Sequence, residues 1–153
     1  MNIQAHGITM FCDDIRHEIG GKMTLVGCYS SEMTFTNPAP GILPSFGALV
    51  NIRIPNNVRF RSFTLKFIRD YNGGSDELLS LDAEVPEKVF EEDQPSLTHS
   101  TADDSDKIFS LSIPVQWHSL AIDSPGIIKV RLKLDTGQEI KAGSLKINFP
   151  QGN

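Results

Sequence analysis

The sequence has only two cysteines, Cys12 and Cys28, and no Cys-x-x-Cys pair. Neither a zinc ribbon nor a dense disulfide framework can be built from them. The four histidines, His6, His17, His99 and His118, show no zinc-motif spacing. There is no Gly-x-Ser-x-Gly nucleophile elbow and no glycine-rich phosphate loop. No apolar run approaches the roughly 18 residues that span a bilayer. Met1–His6 lacks a basic segment followed by an apolar one, so no secretory signal is expected. Basic charge is also scarce: 14 Lys and Arg face 19 Asp and Glu, for a net charge of −5. That balance argues against nucleic acid, whose phosphates need a basic face, and against an anionic membrane surface.

What is present is enough for one domain. The chain has 153 residues, 39% of them hydrophobic, with nine Phe. A domain of this length buries roughly two-thirds of the surface its unfolded chain exposes. It needs no metal or disulfide to hold a core, and no internal repeat or linker divides it.

Period-two alternation dominates, as in strands with one buried face. Phe109, Leu111, Ile113 and Val115 alternate with Ser110, Ser112 and Pro114. Ile128, Val130, Leu132 and Leu134 alternate with Lys129, Arg131 and Lys133. Comparable runs surround Val50–Ile54, Phe63–Phe67, Leu79–Val85 and Leu145–Phe149. Ile8–Cys12 and Met23–Tyr29 alternate less strictly and read as strands buried on both faces. Asn72-Gly73-Gly74-Ser75 and Asp135-Thr136-Gly137-Gln138 carry hairpin chemistry. Asn37–Ser45 reads as a proline-rich connection between sheets. Eight or nine such strands must stack or close, so the sequence predicts an all-β fold. The expected form is a two-layer antiparallel sandwich, immunoglobulin-like or jelly-roll-like, over residues 1–153.

The densest polar cluster is Asp13-Asp14-Ile15-Arg16-His17-Glu18, followed by Ile19-Gly20-Gly21-Lys22. On a helical turn Asp14, His17 and Glu18 share a face through three- and four-residue spacings, and carboxylates with an imidazole can bind a divalent ion. A structural reading accounts for the same residues. Asp13 or Asp14 caps one short helical turn near Asp13–Ile19, Ile15 and Ile19 pack it down, and Gly20 or Gly21 ends it. The structural reading also explains the glycines and isoleucines. A single short segment supplies few ligands in fixed geometry, so no metal or cofactor is expected.

If the flanking segments form a hairpin about Glu18–Gly21, Cys12 is expected to face a residue near Lys22. Cys28 then lies about 20 Å further along at strand rise. Two reduced, half-buried thiols are expected, as in a cytoplasmic protein.

The run from Phe11 to Tyr29 contains Cys12-Asp13-Asp14, then Arg16 and Glu18, then Gly20-Gly21-Lys22, then a hydrophobic strand ending at Gly27. This run resembles the opening signature of a family of small bacterial and phage proteins whose domain has no assigned function. The likeness continues more loosely through the strand pattern to Pro125-Gly126. It implies no catalytic residues.

Three functions compete. The first is a non-enzymatic interaction module with a protein partner or a second copy of the chain, for which the acidic stretch Pro86–Asp106 offers a candidate surface. The second is a small-ligand binder, such as a phage protein sequestering a nucleotide signal, drawing on Arg16, Lys22 and Trp117. The third is a metal-dependent hydrolase built on Asp13, Asp14, His17 and Glu18. Trp117 reads equally as a core or rim residue. Lys129, Arg131 and Lys133 read as the wet face of a strand, paired with acidic residues such as Asp82 or Glu84 or guarding an edge. The interaction module leads, with Asp13, Asp14, Arg16, His17, Glu18, Lys22 and Trp117 as candidate contact residues.

Overall fold

The computed structural model describes residues 4–90, 98–99 and 108–151. Its strands are β1 (His6–Cys12), β2 (Asp14–His17), β3 (Met23–Val26), β4 (Glu32–Thr34), β5 (Gly41–Pro55), β6 (Ser62–Tyr71), β7 (Gly74–Glu84), β8 (Thr98–His99), β9 (Ile108–Ile122), β10 (Gly126–Leu134) and β11 (Glu139–Asn148). A single 3-10 turn spans Glu87–Phe90. One sheet runs β1-β5-β9-β8 and the other β4-β11-β10-β6-β7, while β2 and β3 form a separate two-stranded ribbon. Pairing is antiparallel except where β4 joins β11 in parallel. No helix among the described residues is long and apolar enough to cross a membrane.

The alternation read from the sequence sets the core. Val50, Ile52 and Ile54 of one sheet are buried with Phe63, Leu65 and Phe67 of the other. Ile128, Val130, Leu132, Leu134, Leu145 and Ile147 complete the facing layer. The result is an all-β sandwich. At one side β1 lies against β11, and Gly7 makes the approach tight: a Cβ there would stand 2.8 Å from the Ala142 Cβ.

Four expectations change. Asp14–His17 is a strand, not a helical turn, because its backbone pairs with Met23–Val26. β1 is not buried on both faces: Ile8 and Met10 stay exposed on an edge strand. The proline-rich connection ends early, since β5 already starts at Gly41. The ladder with β9 steps over Pro44, pairing Leu43 with Leu120 and Ser45 with His118, and Ser119 takes a φ of 67° in the gap. A residue with no N–H is thus accommodated without a missing ladder bond. Finally, β10 is a central strand, so its basic row guards no edge. Lys129 pairs with Asp70 at 2.5 Å, and Arg131 reaches Glu139 at 3.9 Å. Asp82 instead accepts a hydrogen bond from Thr64.

Most of the Pro86–Asp106 stretch, residues 91–97 and 100–106, lies outside the described residues.

Candidate functional site

The segment Asp13–Tyr29 doubles back as an antiparallel ribbon, β2 against β3, rooted in the sandwich. Asp14 pairs with Val26, Ile15 with Leu25, Arg16 with Thr24 and His17 with Met23. The turn closes with the Glu18 N–H donating to the Lys22 carbonyl at 2.8 Å. Gly20 and Gly21 both adopt positive φ, 81° and 74°, the region that a side chain disfavours. The same register continues past the strands, with Phe11 bridging to Tyr29. The ribbon therefore grows out of β1.

Three contacts hold the root. Gln116 of β9 accepts the Ile15 N–H at 3.0 Å, and its amide nitrogen donates to the Ser45 hydroxyl at 2.6 Å. Ile15 is buried against Gly47, where an added Cβ would stand 2.9 Å from Ile15 Cγ1 and 3.0 Å from both Cys12 Sγ and Gln116 Oε1. The missing side chain of Gly47 is what lets the ribbon lie on the sheet. At the same root, the Tyr29 hydroxyl donates to the Asp13 carboxylate. Burial first, then that bond to Asp13, holds the Tyr29 hydroxyl well above its ordinary pKa. It stays a donor across the physiological range.

Beneath the root lies an aromatic cluster. Phe46 stacks on Phe11 with centroids 6.0 Å apart, tilts against Tyr29 at 6.4 Å and against Trp117 at 5.6 Å. Trp117 in turn meets Phe67 of the other sheet edge-on at 4.9 Å. Its ring is engaged in packing between the sheets, which fits the rim or core reading better than a stacking platform.

The predicted residues are therefore spread out. Arg16, His17, Glu18 and Lys22 are exposed along the ribbon. Arg16 pairs with Asp14 on its own strand at 3.4 Å. Asp14 and His17, three apart in a strand, project from opposite faces. Among the described residues, no group of three or more His, Cys, Asp or Glu side chains could hold a metal ion. Ile19, expected to pack a helical turn, stands at the ribbon tip, 95% exposed.

Sequence reasoning assigned no role to Gln116, Gly47 or Tyr29, and of these only Tyr29 belongs to a motif, as the end of the Phe11–Tyr29 run. It also missed a charged cluster at the far end of β6. The Arg69 side chain is 3% exposed and reaches Asp76 at 3.4 Å, Ser124 Oγ at 2.6 Å and the Asp123 carboxylate. The Arg69 guanidinium also lies over the Tyr71 ring at 4.6 Å. These contacts tie β6, β7 and the β9–β10 turn together.

No protein-family model matches the chain, and no curated protein matches it.

Proposed function

We propose that this protein is a non-enzymatic interaction module of the bacterial or phage cytoplasm, and that it engages a protein partner through the tip of the β2–β3 ribbon. The observation that carries the reading is Ile19, 95% exposed at the end of a ribbon whose root is braced by Gln116 and Asp13–Tyr29. A two-stranded hairpin is marginal alone in water. Here the sandwich orders its base, so less entropy is lost when the tip docks. Arg16, His17, Glu18 and Lys22 surround the apolar tip with charge of both signs. That is the chemistry of a protein contact with an apolar centre and a polar rim.

The small-ligand and hydrolase readings draw less support. Trp117 is occupied by Phe46 and Phe67, and the Asp13 carboxylate is occupied by Tyr29. The likeness of Phe11–Tyr29 to the bacterial and phage family falls on this same ribbon. Ile19→Asp tests the reading: the fold should persist and partner attachment should be lost.

A further inference from the structure

The ribbon register corrects the expected separation of the two cysteines. Phe11 bridges to Tyr29 and Asp14 pairs with Val26, with two residues between these anchors on each side, which sets Cys12 opposite Cys28. Backbone bonds lie on both sides of the pair: the Tyr29 N–H donates to the Phe11 carbonyl at 2.8 Å, and the Asp13 N–H is shared between the Val26 carbonyl at 2.9 Å and the Gly27 carbonyl at 3.2 Å. Cys12 and Cys28 lie between these bonds, as in a non-hydrogen-bonded cross-strand position, and the Cys28 charge is close enough to act on Cys12. Such positions have Cα atoms about 4.5 Å apart, within the range a disulfide spans. Opposed residues share a face of a ladder, and Asp13 does sit against Gly27 on the other face. Both cysteines are thiols in the structure, Cys12 buried and Cys28 exposed.

We infer that Cys12 and Cys28 form a reversible cross-strand disulfide when a small-molecule disulfide such as oxidised glutathione is present, making the ribbon root a redox modification site. The steps follow from exposure. The Cys28 thiolate attacks a glutathione sulfur, the glutathione S–S bond breaks, and one glutathione thiolate leaves. The Cys12 thiol gives its proton to water, and its thiolate attacks the Cys28 sulfur of the mixed disulfide, expelling the second glutathione thiolate. Two protein thiols become one disulfide, and one oxidised glutathione becomes two reduced ones. Burial, with the neighbouring Cys28 and Asp13 charges, pushes the Cys12 thiol up to about 11, so its step is the slow one and quickens as pH rises. The bond forms beside Asp13–Tyr29 and fixes β1 to the chain leaving β3. The disulfide does not depend on partner binding.

The test incubates the reduced full chain with oxidised glutathione, blocks remaining thiols and maps peptides by mass spectrometry without reduction. The expected product is a monomer with Cys12 linked to Cys28, reversed by reductant. Cys12→Ser should stop with one glutathione on Cys28. Cys28→Ser, altering only an exposed side chain, should leave Cys12 unmodified. Wild-type protein that halts with glutathione on Cys28, links two chains, or does not react overturns the inference.

Discussion

Gln116 accepts the backbone N–H of Ile15 at 3.0 Å, joining residues 101 positions apart. Through its other amide atom it also holds Ser45. One side chain of β9 thereby sets where the ribbon leaves the sheet.

Gln116→Leu keeps the approximate volume and removes both bonds, together with a longer one from its amide nitrogen to the Asp13 carbonyl at 3.5 Å. It leaves the Ile15 N–H half-buried with no acceptor, at a cost of about 1–3 kcal/mol. The Ile15 amide should then exchange with solvent much faster, while amides of β10 change only as far as global stability falls. Hydrogen exchange read residue by residue checks this. Equal acceleration throughout would mean that Gln116 supports the whole sandwich and not the ribbon.

Gly47→Ala probes the same junction from the sheet side. The new methyl meets Ile15, Cys12 and Gln116 at 2.9–3.0 Å, so neighbours must move. Overpacking of this kind costs about 1–3 kcal/mol. Urea unfolding should show a lower midpoint than wild type, and the Ile15 amide should lose protection. A variant with unchanged midpoint and protection would show that the ribbon does not lie on Gly47.

Acid should loosen the C-terminal end of β6. The Arg69 bond holds the Asp123 carboxyl below its ordinary value, and the Lys129 bond does the same for Asp70. A carboxyl with a depressed folded pKa contributes stability that is fully present above its unfolded value. That contribution is lost as pH falls through the folded value. Stability should hold from neutral pH down to the ordinary aspartate range near 3.8 and decline below it. In Asp123→Asn the decline should be shallower, as measured by denaturant midpoints across the acid range. An identical acid slope would show that the Arg69–Asp123 pair is not formed.

The sandwich was legible because alternation is a local signal. Ile128, Val130, Leu132 and Leu134 report one buried face whichever strands lie beside them. Neighbours are not local, which is why Lys129 pairs with Asp70 and not with Asp82 or Glu84. The ribbon is masked in the sequence for a different reason. Asp14, His17 and Glu18 have helical spacing, and Ile15 with Ile19 reinforces it. The overriding signal was Gly20-Gly21, whose positive φ values make the reversal of a hairpin. Counting outward from Gly20 pairs Cys12 with Cys28 directly. Gln116 and Gly47 carry no such signal, because their roles exist only once β9, β5 and β2 are brought together.

The most direct test of the central claim is native mass spectrometry of the protein purified gently from its own host, wild type beside Ile19→Asp. Because Ile19 is almost wholly exposed, this substitution should change stability by no more than about 0.5 kcal/mol. The account predicts a protein-sized added mass on the wild type, from another protein or a second copy of this chain, and a bare single chain for the folded variant. The same added mass on both proteins, or a small-molecule-sized or metal-sized increment alone, would contradict it.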